Sequence, residues 1–353
     1  MSFLQKAISF AAVFASLGGA YAKLDLSSTS NVAMYWGQNS FKGQGKLAQQ
    51  PLAFYCNDDK IDVIQLAFLM NINGLGGAPE YDFQNASDHC NVFEGTNLKN
   101  CPQVGADIAT CQKKNKTIIL SIGGATYSEG GFRSEADAIA GADKVWQTFG
   151  PPSTNTSALR PFGNSSVDGF DFDFEANVFH MGPFAKRLRE LGDADKTKPF
   201  FLTAAPQCMY PDLADKDILN GSVAIDAAFV QFYNNWCGVN SFTPGKDIQT
   251  SFNFIDWDNW AKNVSKNGNT KVFLGVPANT GAASTGYLPA DKLEPVIKYS
   301  KTFKSFGGVM MWDVSQAYAN EGFLDSAKKA LGKVPSRILR PASGSQPNAW
   351  YWG

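Results

Sequence analysis

The residues with the clearest chemical potential form one run, Asp168-Gly169-Phe170-Asp171-Phe172-Asp173-Phe174-Glu175. A β-strand sends successive side chains to opposite faces, so Asp171, Asp173 and Glu175 share one face while Phe170, Phe172 and Phe174 share the other. Packing the phenylalanines against helices aims the three carboxylates into the protein interior. There desolvation and mutual repulsion raise carboxyl pKa values. Such a stack is costly unless protons are shared or partners supplied, so ordinary packing does not account for it. Asp168 has the opposite parity and is read as the anchor of the strand's start. Glu175, at the C-terminal end, is placed to serve as a general acid with a raised pKa. The rival reading is a calcium site or a solvated acidic edge. Calcium loops, however, draw oxygen ligands from a glycine-containing turn rather than from an apolar-alternating strand.

A scaffold must hold that strand. Eight apolar runs read as strands: Asn31–Trp36, Ile61–Met70, Thr117–Gly123, Val167–Glu175, Phe200–Ala205, Ala228–Tyr233, Lys271–Val276 and Gly307–Trp312. Helix-compatible patterns lie between them, around Pro102–Lys114, Ser134–Phe149, Phe184–Leu191, Phe252–Val264, Asp291–Thr302 and Gly322–Leu331. Val63-Ile64-Gln65-Leu66-Ala67-Phe68 is apolar on both faces, as expected of a parallel sheet covered by helices. The alternation predicts an α/β fold, a (β/α)8 TIM barrel forming a single catalytic domain. A doubly wound open sheet is the alternative. Its dinucleotide fingerprint is absent where expected, since the first strand runs into Trp36-Gly37-Gln38-Asn39. Barrel active sites gather at the C-terminal ends of the strands, which is where Glu175 falls.

Composition narrows the chemistry. Thirty-one Lys and Arg against 32 Asp and Glu leave no basic surplus for nucleic acid or anionic lipid. The two histidines, His89 and His180, leave little for a His-rich metal site or a histidine relay, and we expect neither metal nor cofactor. Residues 1–22 read as a secretory signal: Lys6, the apolar Ala7–Leu17, then Ala20-Tyr21-Ala22 before Lys23. No later segment reaches the roughly 18 apolar residues of a membrane span. Six cysteines (Cys56, Cys90, Cys101, Cys111, Cys208 and Cys237) lack zinc-type spacing and read as disulfides in an oxidising compartment, with the pairing left open. Six glycosylation sequons begin at Asn85, Asn115, Asn155, Asn164, Asn220 and Asn263, a weak further sign of secretion. The catalytic domain is expected over residues 23–332, followed by a tail at 333–353 rich in Pro, Ser and Gly with Trp350-Tyr351-Trp352.

The single-sided acids carry a mechanistic expectation. Most glycosidases flank the sugar with two carboxyls from opposite sides. Here the candidates rise from one strand, and no second carboxylate is evident for the far side. The attacking group is then expected from the substrate, as a 2-acetamido carbonyl can provide.

At these residues the chain closely resembles glycoside hydrolase family 18, whose signature is D-G-x-D-x-D-x-E. Asp168, Asp171, Asp173 and Glu175 match its four acids. The likeness runs from about Asn31 to Leu331 and is strongest to the fungal and plant class III chitinases. It is carried also by Tyr35-Trp36-Gly37-Gln38-Asn39, Ser121-Ile122-Gly123-Gly124, Leu202-Thr203-Ala204-Ala205-Pro206-Gln207-Cys208, Val230-Gln231-Phe232-Tyr233-Asn234-Asn235 and Gly307-Gly308-Val309-Met310-Met311-Trp312. The resemblance implies that Glu175 protonates the glycosidic oxygen and then acts as base toward water. It implies that Asp173, sharing charge with Asp171, orients the acetamido group and stabilises an oxazolinium intermediate, with Tyr233 hydrogen-bonding the acetamido carbonyl. Trp312 is implied as the floor under the sugar, and Tyr35, Gln38, Gln207, Gln231 and Asn234 as further cleft contacts. The implied disulfides are Cys56–Cys111, Cys90–Cys101 and Cys208–Cys237.

One departure follows the acid, where Ala176-Asn177 stands in place of the His-Gly of some class III relatives. It leaves every implied catalytic group intact and puts the neighbouring loop in doubt. The expectation is a secreted, monomeric endochitinase acting on chitin and chitooligosaccharides with retention. Two alternatives share the barrel: a non-catalytic chitin lectin or glycosidase inhibitor, and an endo-β-N-acetylglucosaminidase acting on N-glycans. The first commonly loses the acid, which is present here.

Overall fold

The computed structural model describes residues 24–153 and 157–332. The expected signal at 1–22, the tail at 333–353 and the sequon at Asn155 lie outside the described residues. Eight strands, β1 (Asn31–Trp36), β2 (Val63–Asn71), β3 (Thr117–Gly123), β4 (Gly169–Asp173), β5 (Phe201–Ala204), β6 (Ala227–Gln231), β7 (Lys271–Pro277) and β8 (Phe306–Trp312), pair in parallel with their sequence neighbours. β1 pairs with both β2 and β8, which closes the sheet. This is the expected (β/α)8 barrel, and the open-sheet alternative falls with the closure.

Nine helices are seen among the described residues. They are α1 (Leu52–Tyr55), α2 (Pro102–Lys113), α3 (Glu135–Phe149), α4 (Met181–Ala194), α5 (Lys216–Leu219), α6 (Phe254–Asn263), α7 (Ala290–Ser300), α8 (Val314–Ala319) and α9 (Phe323–Leu331). The sequence pattern does not predict α1, α5 and α8; at one to two turns they are too short to set up a 3.6-residue period. α3 shows how a longer one forms. Ser134 caps its N-terminus by accepting from the Asp137 amide, Glu135 and Asp137 favour the positive end of the dipole, and Ala138, Ala142, Val145 and Phe149 bury one stripe.

β4 has the expected parity. Phe170, Phe172 and Phe174 are buried between sheet and helices, with Phe172 6.2 Å from Phe184 of α4 and Phe170 5.4 Å from Phe200 between ring centroids. Inside the barrel Leu24, Ile119, Phe201, Phe229 and Phe273 form an apolar cluster toward the N-terminal end, and the carboxylates lie toward the C-terminal ends. Asp168 anchors the bottom of β4 as expected: it accepts from the Ile118 amide, the Gln112 side chain and Lys198 at 2.7–2.9 Å.

The acid strand is shorter than expected. Its ladder stops at Asp173 rather than Glu175. On one side the Ala205 amide donates to Phe172, and the next residue, Pro206, has no N–H to continue. On the other side the Gly124 amide donates to the Asp173 carbonyl at 2.7 Å. Released from pairing, Glu175 stands in the mouth of the barrel. Three disulfides brace the surrounding loops: Cys56–Cys111 joins α1 to α2, Cys90–Cys101 closes the long loop after β2, and Cys208–Cys237 ties the loop after β5 to the loop after β6. Among the described residues no helix is long and apolar enough to cross a membrane.

Gly123 is where fold and site meet. Its φ is +119°, and a Cβ there lies 2.3 Å from the Asp173 carbonyl oxygen. Gly123→Ala is therefore expected to lose about 1–3 kcal/mol of stability in urea unfolding, from the strained backbone alone, and to displace Asp173. Unchanged stability and activity in that variant rule out the close packing of β3 on β4 as a requirement of the site.

Candidate active site

The site is built from the inside outward, starting at Asp171. This carboxylate has no solvent exposure, and four strands reach it. Thr203 of β5 donates to Oδ1 at 2.6 Å; Tyr35 of β1 and Ser121 of β3 donate to Oδ2 at 2.8 Å each, and Gln65 of β2 approaches Oδ2 at 3.4 Å. Register explains two of these, since Asp171 lies opposite Ser121 on one side and Thr203 on the other. Burial pushes its pKa up and the four hydrogen bonds pull it back down.

Asp173, one layer nearer the mouth, is buried beside less help. Its Oδ1 accepts from the Gln231 amide nitrogen at 2.8 Å, and the same nitrogen donates to the Ala205 carbonyl at 3.0 Å. Desolvation, then Glu175, Asp171 and Asp212, push its pKa well above the ordinary carboxylate value. Glu175 is also raised, by desolvation first and by Asp212, with Gln231 pulling the other way. Asp173 and Glu175 thus form a pair that resists double ionisation, the condition for holding a transferable proton at the cleft. Tyr233, which follows β6, is nearly buried. Its phenol is held protonated by burial and by the Asp173 and Glu175 carboxylates, so it acts as a hydrogen-bond donor.

These groups open into a cavity of about 210 Å³ lined by Gln38, Phe68, Ala125, Thr126, Asp173, Glu175, Gln231, Tyr233, Asn234, Ala282 and Trp312. The two lining carboxyls both come from the end of β4. Trp312 is half-buried against Tyr35 (5.2 Å) and near-parallel to Phe68 (5.8 Å). Of the expected cleft contacts, Gln38, Gln231, Asn234 and Trp312 reach the cavity. Tyr35 lies behind Trp312, committed to Asp171. Gln207 does not line it: its Oε1 accepts from Asn235 and its backbone N–H donates to Asp212. Asn234 also has structural work, at φ 58°, accepting from the Ser284 and Thr285 amides.

Several functional neighbours carry no signal in the sequence. Gln65, Ser121 and Thr203 have the pattern of ordinary strand residues, and only register reveals them as partners of Asp171. Phe68 has the pattern of a core residue. Asp212 and Asp215, in the loop after β5, add two buried carboxyls whose pKa values desolvation raises. Asp212 accepts from the Gln207 and Asp215 amides, which favours its charged form. A Pro-Asp in a loop carries no spacing signal that points to a site some forty residues upstream. Among the described residues no group of His, Cys, Asp and Glu has the arrangement to hold a metal ion.

Comparison with known proteins agrees with this geometry. A sequence model described as Glycosyl hydrolases family 18 matches residues 31–302. A class III chitinase of Arthroderma benhamiae is 54% identical over 341 residues, covering 96% of this chain and 97% of the relative. Endochitinase 33 of Trichoderma harzianum is 45% identical over 322 residues, covering 91% and 98%. Among solved structures, a xylanase and alpha-amylase inhibitor protein from Scadoxus multiflorus superposes with a TM-score of 0.66 at 31% identity, covering 84% of this chain and 97% of that one. The acid strand, the barrel that carries it and these matches place the chain in glycosyl hydrolase family 18.

Proposed function

We propose that this protein is a secreted endochitinase that hydrolyses β-1,4 linkages between N-acetylglucosamine units by retaining, substrate-assisted catalysis. The observation that carries the reading is the origin of the acids: of the carboxyls lining the cavity, Asp173 ends β4 and Glu175 follows it by two residues, and the other lining residues carry none. A nucleophilic carboxylate on the far face of the sugar is thus missing from the lining, and the acetamido carbonyl of the substrate takes that place. Glu175 gives its proton to the glycosidic oxygen as the carbonyl oxygen attacks the anomeric carbon. The bond to the leaving sugar breaks and an oxazolinium ion forms. Asp173 supports its positive charge and Tyr233 donates to the acetamido oxygen. Glu175, now ionised, takes a proton from the water that opens the ring, which restores the starting state. Trp312 and Phe68 provide apolar ring faces against which the sugar rests.

Export is supported by the signal-like residues 1–22 and by three disulfides. The sequons at Asn164, Asn220 and Asn263 are exposed and suit glycosylation, whereas that at Asn115 ends in the buried Thr117 of β3. That at Asn85 differs: its side-chain amide is engaged on both ends by Gln49, and Ser87 is buried. A monomer completes the reading. The inhibitor with a similar barrel names the main rival, a non-catalytic binder, and Glu175 weighs against it here.

Glu175→Gln is expected to cut turnover of chitohexaose about 10²–10⁴-fold, the usual worth of a general acid, while still binding the oligosaccharide. Full activity in that variant sinks the assignment. Fresh product followed by NMR should be the β-anomer, and α-anomer contradicts the substrate-assisted route. The same enzyme should cleave chitohexaose and spare a high-mannose glycoprotein; the reverse preference selects the N-glycan alternative.

The charge wiring predicts a pH effect. The Asp212 carboxylate raises the pKa of Glu175 and of Asp173, so neutralising it lowers both. Glu175 must be protonated to act as acid. Asp212→Asn should therefore move the alkaline limb of kcat/KM to lower pH, and a limb that stays put or moves upward refutes the coupling.

A further inference from the structure

The loops after β5 and β6 carry large apolar side chains that the fold leaves in solvent. Trp236 is 60% exposed and Leu213 65%, with Met209 and Tyr210 at 39% each. All four lie within a few residues of the Cys208–Cys237 disulfide, whose Cα atoms are 5.9 Å apart. Scattered single apolar residues on a surface need no explanation, but a cluster of this kind beside a cleft does.

The loop presenting Trp236 is fixed on three sides. Asn234 accepts from Ser284 and Thr285 on the loop after β7, at 2.9 and 3.2 Å. Asn235 donates to Gln207 at 3.0 Å, and Cys237 is bonded to Cys208. Tyr210 is steadied as well, its ring edge-on to Trp257 at 5.3 Å. The indole is therefore held by a rigid backbone while its ring stays uncovered, an arrangement that lowers the ordering cost of a ligand stacking on it.

Position identifies the ligand. Asn234 lines the cavity, and Trp236 stands two residues beyond it. On the partner loop Gln207 bridges to Gln231, whose side chain donates to Asp173 at 2.8 Å, and the Gln207 backbone amide donates to Asp212 at 3.0 Å. These loops thus flank the acid, whereas Trp312, Phe68 and Gln38 come from β8, β2 and the turn after β1. A general acid stands beside the leaving oxygen, so sugars on its side belong to the leaving group. We propose that Trp236 is a stacking platform for N-acetylglucosamine units on the leaving-group side of the scissile bond, and that it gives the enzyme its preference for long chains. This rests on the chitinase reading above.

Two substrates separate the possibilities. Chitohexaose extends beyond the scissile bond; the β-fluoride of N,N′-diacetylchitobiose places only fluoride there. Trp236→Ala in the full secreted chain is expected to lower kcat/KM for chitohexaose about tenfold, the scale of one lost aromatic contact, and to change that for the fluoride less than twofold. Trp236→Phe should recover most of the loss. Equal losses on both substrates mean that the indole only supports the loop, and an unchanged hexaose rate means that no sugar rests on it; either result overturns the platform. A wild-type enzyme that cleaves neither substrate overturns the chitinase reading itself, an outcome seen before any variant is compared.

Discussion

The structure depends on one buried carboxylate. Asp171 sits at the centre of the barrel with donors from β1, β2, β3 and β5 converging on it. An isolated carboxylate in such a place is strongly disfavoured, and one that accepts several well-formed hydrogen bonds is tolerated. The consequence runs outward. With Asp171 satisfied as an acceptor, its charge bears on Asp173, which has far fewer donors and is held well above the ordinary carboxylate pKa. Asp173 in turn repels a second charge on Glu175. Burial and mutual repulsion along one strand thus hold a proton on the Asp173–Glu175 pair, which lines the cavity.

That pair needs a backbone that departs from regularity at the right point. While β4 is paired, strict alternation governs where its side chains point. Pro206 ends the pairing on one side, and Gly123 and Gly124 let the β3 turn close over the Asp173 carbonyl on the other. Glu175 then leaves the ladder and reaches the cleft, while Asp171 and Asp173 stay inside it. Each acid keeps a distinct environment despite a spacing of only two residues. The Gln231 side chain joins the parts: it crosses from β6 to Asp173 and to the Ala205 carbonyl, tying the acid strand to the strands beyond it.

Much of this is legible in the amino-acid sequence. The alternation of Asp and Phe over 170–175 dictates which side chains face inward, because a period of two leaves no freedom once the phenylalanines are buried. Eight apolar runs with intervening helices are enough to indicate the barrel. What the sequence hides depends on contacts between distant segments. Thr203 and Ser121 are partners of Asp171 through register, which no local pattern encodes. Asp212 is held in the loop after β5 by the Gln207 and Asp215 amides. Gln207 is a cleft contact by resemblance; in the folded chain its side-chain oxygen accepts from Asn235. Alternation alone carries β4 two residues too far, because the hydrophobic pattern continues past the point where hydrogen-bonding partners run out.

The cost of the acid stack also explains the division of the barrel into two ends. The N-terminal half of the interior is apolar and close-packed, and Asp168 is neutralised there by Lys198 and two further donors. That half contributes burial without chemical constraint. Disulfides at Cys56–Cys111 and Cys208–Cys237 restrict the unfolded chain rather than adding charge or polarity near the site. Apolar burial is therefore gathered at the N-terminal end, and the C-terminal half is left free to hold carboxyls close together, to expose Glu175 to solvent and substrate, and to present aromatic faces. The acid pair works under that arrangement: the closed sheet fixes Asp173, Glu175 follows just beyond the ladder, and the repulsion between them is expressed as proton retention.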